Sequence, residues 1–192
     1  MALNPLVDTR DNRFVLFELF EIDKLSKYEL YADFDRAIYE STLDLAEKIA
    51  VDKFYPANAE SDRTGCAFDP ATKAVTVPAC VKTATEAFNE SGFLTLAIGF
   101  DDGGSGMPHI IRTGCMEYFM AGCMSASLYP TLSLGAANLV RIFGTEEQKK
   151  TFLEKMHSGE WGGTMCLTES EAGSDVGALK SKAGAQPDGT YS

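Results

Sequence analysis

The chain has 192 residues, 45% of them hydrophobic and 23% charged, and carries a formal net charge of −11. That composition suits one well-cored globular domain with room for part of a second, and it excludes a disordered chain. The acidic balance argues against nucleic acid or an anionic membrane surface as a main partner, because both demand basic patches that replace counterions.

An anionic cofactor would have to be held by local backbone dipoles and a few placed donors. The five cysteines, Cys66, Cys80, Cys115, Cys123 and Cys166, are odd in number and lack C-x-x-C spacing. They read as reduced thiols packed as small apolar core residues, with no disulfide framework and no metal site. Asp8, Arg10, Asp11 and Arg13 precede any apolar run and no targeting pattern follows, so a cytoplasmic protein is expected.

In chain order, residues 1 to 12 read as a loosely tied arm. Phe14 to Phe20 is too short and apolar for periodicity to decide, but Glu18 and the leucines favour a short docked helix. From about Tyr31 to Phe54 the helical period is strong. Phe34, Ile38, Leu45 and Ile49 share one sector, and Leu43, Ala50 and Phe54 lie opposite, the pattern of a helix between neighbours in a bundle. Pro56 is expected to lie just past its end. Residues 66–77, with Asp69-Pro70 as turn, read as a small surface hairpin, and Pro78 opens a helix running to about Glu90 before Gly92.

Leu94 to Phe100 is apolar and suggests a cleft wall. The loop Asp101-Asp102-Gly103-Gly104-Ser105-Gly106 then feeds a helix, and it reads either as a nest of N–H groups for an anion or as a flexible connector, which the two aspartates favour. Ile110 to Ser127 is apolar nearly all round, but Arg112 and Glu117 and its shortness argue against a membrane span. It reads as a buried helix whose glycines admit a close neighbour and whose methionines can adapt to an apolar ligand. Pro130 is expected to start another helix to about Phe143, with Leu132, Leu139 and Val140 as core. Thr145-Glu146-Glu147-Gln148 is a capping box for a further helix that turns Phe152, Leu153 and Met156 inward and stops at Gly159.

Near residue 160 the composition shifts. Gly162 to Leu167 reads as a strand, followed by the polar loop Thr168 to Val176, whose Gly173 and Ser174 offer N–H groups and a hydroxyl suited to a phosphate or a polar ring edge. Pro187-Asp188-Gly189 is a hairpin turn signal three residues before the end, so the sequence reads as cut within a β-domain, an expressed fragment. The expected fold is mainly α, with an all-α domain over 1–160 and the start of a β-domain over 161–192.

Leu167-Thr168-Glu169-Ser170-Glu171-Ala172-Gly173-Ser174-Asp175-Val176 closely resembles the L-T-E-P-x-A-G-S-D signature of the flavin-dependent acyl-CoA dehydrogenases. Phe143-Gly144-Thr145-Glu146-Glu147-Gln148-Lys149-Lys150 is similar to the family's G-T-E-E-Q-K helix start, and Gly103-Gly104-Ser105-Gly106 to its G-G-x-G loop. The long N-terminal segment resembles the enlarged subgroup that includes 3-methylthiopropionyl-CoA dehydrogenases. The resemblance implies an N-terminal helical domain and the beginning of a middle β-domain. It implies FAD as cofactor, with Met165 and Leu167 against the flavin ring, Thr168 bonding it near its reactive nitrogen, and Gly173 and Ser174 on the pyrophosphate.

Ser174 would also face the CoA moiety of an acyl-CoA substrate. Ser170 departs from the family's proline, and Met165 stands where an aromatic is frequent. The family's catalytic glutamate lies in a C-terminal helical domain, beyond Ser192, so no residue here is assigned the role of base. An electron-transfer flavoprotein or similar acceptor and a homo-oligomeric parent are implied partners. The alternatives are a catalytically silent helical module of the same fold and an acyl-CoA oxidase.

Overall fold

The structure is a computed structural model that describes residues 4–192. Of the expected N-terminal arm, residues 1–3 lie outside the described residues, and most of the rest is more ordered than a loose arm. Asp8 caps α1 (Thr9–Arg13) by accepting from the Arg10 and Asp11 N–H groups, and the chain runs on as a π-helical segment over Phe14–Leu19. Buried Asn12 donates to the Gly114 carbonyl at 3.3 Å and to Glu117 at 2.6 Å. Arg13 donates to the Tyr118 hydroxyl at 2.9 Å and pairs with Asp44. These bonds link the segment to the helices it covers.

The long helix continues where proline was expected to end it. α2 (Arg36–Ile49), capped by Asp35, passes through a π-helical stretch (Ala50–Phe54) into α3 (Tyr55–Thr64). A proline inside an α-helix loses one hydrogen bond and clashes with the carbonyl four residues back. Here Pro56 falls in the first turn after the wider π geometry, where its missing N–H costs little. The buried face also differs from the expected sector. Tyr39, Leu43, Ala46, Ala50 and Phe54 point inward with Ile49 and Phe34, whereas Ile38 and Leu45 are exposed. The neighbours decide this: the helix that carries Gly114 packs along the Leu43 side, where that glycine leaves room for it.

β1 (Ala67–Phe68) and β2 (Val75–Thr76) form the expected antiparallel hairpin, register Ala67 to Thr76. α4 (Ala79–Glu90) follows, with Pro78 as its N-cap residue and Gly92 at φ +79° after its end. Of Leu94 to Phe100, expected to line a cleft, Leu96 and Ile98 are buried in the core, Leu94 is buried beside a small hollow, and Phe100 is exposed. The next helices divide differently from expectation. α5 (His109–Gly122) ends at Cys123, whose extended backbone (φ −158°) makes a one-residue corner before α6 (Met124–Phe143). α6 then carries Pro130 inside it. Ser127, Thr131 and Ser133 hydroxyls donate to the carbonyls of Cys123, Ser127 and Tyr129, each four residues back, around this proline. Leu139, expected in the core, is exposed.

The core centres on four phenylalanines. The Phe119 ring lies 5.0 Å from Phe54, 4.8 Å from Phe88 and 5.0 Å from Phe93, in tilted and edge-on arrangements that favour attraction between rings. Gly122 lets α5 approach Phe54, since a Cβ there would stand 2.8 Å from the Phe54 Cβ. Met116 is buried and Met120 packs against the same cluster, whereas Met124 is exposed. Cys115 and Cys123 are buried as expected, and burial pushes the Cys115 thiol up to about 12, so it is inert near neutral pH. Cys66 and Cys166 are exposed, against the expectation of a core role.

α7 (Glu146–His157) starts with the complete capping box. The Thr145 hydroxyl accepts from Gln148 N–H at 3.2 Å and the Gln148 side chain accepts from Thr145 N–H at 2.8 Å. Met156 is buried, but Phe152 faces outward against Trp161. At the end of α7 the Nε2 of His157 is buried without a partner among the described residues. Burial, reinforced by Arg141 and partly offset by Asp102, holds this imidazole below its ordinary value. A depressed histidine contributes stability that is present above its unfolded value and lost as pH falls through the folded one. The thermal midpoint should therefore drop between about pH 7 and about pH 5, and His157→Gln should flatten that limb; an equal slope in the variant would exclude His157 as the cause.

Beyond α7 no paired strand forms among the described residues. Gly162 to Leu167, expected to be a strand, has no strand partner, and the remaining order is a 3-10 turn (Val176–Ala178) with bridges Glu169 to Ala172 and Ala185 to Tyr191. The Pro187-Asp188-Gly189 turn does form, with Gly189 at φ +83° and Gln186 N–H donating to the Thr190 carbonyl at 2.8 Å. The fold is mainly α with one small hairpin.

Candidate functional site

The signature stretch is mostly exposed and lies outside the main hydrophobic core. Ala172 is the one buried residue between 161 and 192, and none of these residues joins the main hydrophobic cluster. Order comes from polar bonds. Glu169 N–H donates to the Ala172 carbonyl at 2.9 Å, and the reverse bond closes at 3.3 Å. The Glu169 carboxylate accepts from the N–H groups of Lys180 at 2.9 Å and Ser181 at 3.1 Å, folding residues 169–181 into a closed loop. Donation from Ser181 and Lys180 holds this carboxyl below its usual range. A Lys180–Glu171 ion pair fastens the same ends, and Asp175 accepts from Gly177 N–H at 3.2 Å.

Within that loop Thr168 and Gly173 come together: a Cβ built on Gly173 would lie 3.8 Å from the Thr168 Cγ2. Among the described residues no hydrogen bond uses the Thr168 hydroxyl or the N–H groups of Gly173 and Ser174. They are exposed donors that no intramolecular acceptor consumes. Met165 is 66% and Leu167 42% exposed, an apolar surface next to those donors. The combination suits a flat, partly polar ring system with an anionic tail.

Two of the hollows that border α6 share Tyr129. One, of about 640 Å3, lies between the β-hairpin and the helices and is lined by Val77, Val81, Met124, Leu128 and Tyr129 among others. A smaller one of about 180 Å3 includes Asn89, Leu94, Tyr129, Ser133 and Gly162. A third, apolar groove of about 520 Å3 runs along Ile22, Leu25, Tyr28, Tyr31 and Ile110 and has no lining residue from the signature stretch.

The glycine-rich loop is neither an anion nest nor a slack connector. The N–H groups of Gly103, Gly104, Ser105, Gly106 and Met107 donate in turn to the carbonyls of Phe100, Gly99, Thr95, Ile98 and Leu96. None of these five N–H groups is therefore left for an anion. Asp102 pairs with Arg141 at 2.9 Å, tying the loop to α6. Two features had no sequence signal: Glu169 as the closure of the signature loop and a Ser133 bond to Gly163, because their partners lie 11, 12 and 30 residues away.

The sequence model described as the N-terminal domain of acyl-CoA dehydrogenase matches residues 39–160. A butyryl-CoA dehydrogenase of Syntrophomonas wolfei is 36% identical over 183 residues, 93% of this chain and 30% of that protein. A broad-specificity linear acyl-CoA dehydrogenase of Mycobacterium tuberculosis is 33% identical over 96% of this chain and 30% of its own length. A 3-methylmercaptopropionyl-CoA dehydrogenase of Ruegeria pomeroyi is 29% identical over 95% and 31%. The solved butyryl-CoA dehydrogenase of Megasphaera elsdenii superposes with a TM-score of 0.64 at 25% identity, covering 83% of this chain and 39% of that one. The chain thus spans about 30% of the length of the curated relatives it matches. With more than half of its residues matched by the family's own N-terminal model, the chain belongs to the acyl-CoA dehydrogenase family.

Proposed function

We propose that this chain is the N-terminal part of an FAD-dependent acyl-CoA dehydrogenase, with residues 1–160 as its helical domain and 161–192 as the start of its β-domain. The observation that carries this reading is the set of uncommitted donors at Thr168, Gly173 and Ser174 beside exposed Met165 and Leu167, on a chain of this family. Met165 and Leu167 would face the flavin ring, Thr168 would donate to its edge, and Gly173 and Ser174 would donate to the pyrophosphate. Ser174 would also meet the CoA moiety. Bound FAD would supply the hydride acceptor for α,β-desaturation of the thioester. A fixed donor at Thr168 favours that chemistry because it stabilises the negative charge that develops at the ring edge. The α-proton would be taken by a glutamate outside this chain.

The free cysteines support a cytoplasmic setting. No described helix is long and apolar enough to cross a membrane. An electron-transfer flavoprotein or a similar acceptor and a homo-oligomeric parent belong to the same proposal. The polypeptide encoded by the complete reading frame should reduce a dye acceptor when given a straight-chain acyl-CoA under anaerobic conditions, and the 192-residue chain alone should not. Dye reduction by the 192-residue chain would place the base within it. Turnover of the complete protein that requires oxygen would instead identify an oxidase.

A further inference from the structure

Ser133 is a buried hydroxyl on α6, and both of its hydrogen-bonding capacities are in use. It donates to the Tyr129 carbonyl at 2.7 Å, one turn back, and accepts from the Gly163 N–H at 3.1 Å. A hydroxyl has one proton and two lone pairs, so donation to Tyr129 orients the acceptor side toward Gly163 and the bonds do not compete. Gly163 is held closely by its surroundings, since a Cβ there would stand 2.4 Å from the Ala136 Cβ. Neighbouring Gly162 also faces Ser133, with its virtual Cβ 3.5 Å from the Oγ. Trp161, the single tryptophan of the chain, packs 5.9 Å from Phe152 and under Lys155. One side chain therefore joins the helix that borders both α6 hollows to the segment that leads into Met165 and Thr168.

We propose that Ser133 is a positioning residue: it fixes where the segment leading into the signature loop 165–174 sits against α6, and so sets the flavin contacts relative to the hollows that border this helix. This rests on the reading of 165–174 as flavin contacts. The two ends of that relation lie on chain segments with no shared core, because residues 161–192 add nothing to the main cluster. Local contacts then set their spacing, and Ser133 to Gly163 is the hydrogen bond among the described residues that reaches from α6 to the segment leading into the loop.

The test has two arms. In the 192-residue chain, Ser133→Ala should speed exchange of the Gly163 amide by about tenfold and move Trp161 emission to longer wavelength, with helix content unchanged. Ser133→Thr, which keeps the hydroxyl, should restore both. Gly163→Ala, which collides with Ala136 while leaving Ser133 intact, should reproduce the emission change. Unaltered Gly163 exchange in Ser133→Ala would overturn the anchor. In the complete protein, Ser133→Ala should shift the absorption spectrum and reduction potential of bound flavin and lower kcat more than it raises KM, with rescue by threonine. Normal flavin in the wild type with no change of spectrum or potential in Ser133→Ala would overturn the positioning role alone. A wild-type complete protein that takes up no flavin would overturn the flavin reading and the positioning role with it, while the exchange result would still report the anchor.

Discussion

Phe119→Ala should cost about 3–5 kcal/mol of unfolding free energy, the range for deleting a fully buried aromatic ring. Phe119 is 0% exposed and touches the rings of Phe54, Phe88 and Phe93, which come from the π-helical stretch, α4 and the loop after α4. Its removal therefore opens a cavity where separate elements meet, and none of them can close it without leaving another contact. Domains of this kind are held by about 5–15 kcal/mol in total, so the variant should melt on the order of 10 °C lower. Chemical denaturation followed by far-UV circular dichroism measures the loss. Phe152→Ala is the control, because that ring is 39% exposed and packs chiefly on Trp161. Equal losses in the two variants would show that the four-ring cluster is not the centre of stability.

Gly104→Ala should be the second large effect. A Cβ at that position would stand 2.2 Å from the Ile98 carbonyl oxygen and 2.4 Å from its Cβ, so the backbone itself must move. Overpacking of this kind costs about 1–3 kcal/mol, and here it also loosens the bonds from Gly104 to Gly99 and from Gly106 to Ile98. Gly103→Ala separates steric from conformational causes. Gly103 meets nothing within 4 Å but sits at φ +80°, so alanine there should cost only about 1 kcal/mol. An anion nest predicts the opposite dependence on conditions. If phosphate raised the wild-type melting point and Gly104→Ala removed that response, the loop would be a binding site and the packing account would fail.

Where a feature depended on local chemistry, the sequence was a good guide. The Thr145–Gln148 capping box, the hairpin around Asp69-Pro70 and the Pro187–Gly189 turn each formed, because a cap or a turn is decided within four or five residues. Helix breaks were harder. Pro56 and Pro130 both lie inside continuous helical stretches, one after a π-helical segment and one in the first turns of α6, and no proline rule distinguishes such positions from a true end. The inward face of α2 was also misread, since Ile38 and Leu45 are as apolar as Leu43 and only the partner helix decides which are covered. Motif similarity carried the family further than periodicity could. It placed the candidate donors on Thr168, Gly173 and Ser174, but it could not show that Glu169 closes the loop around them.

The loop that Glu169 closes is held independently of the helical core. Its order comes from hydrogen bonds and an ion pair among its own residues, and it contributes one small side chain, Ala172, to the interior. Opening it exposes almost no apolar surface, so it can come apart and re-form as a unit while the helices stay intact. The two processes report on different signals, the loop through local amide exchange and the helical body through its cooperative melt. Substitutions at Thr168, Gly173 or Ser174 should therefore change local amide exchange while the cooperative melt of the helices stays where it is.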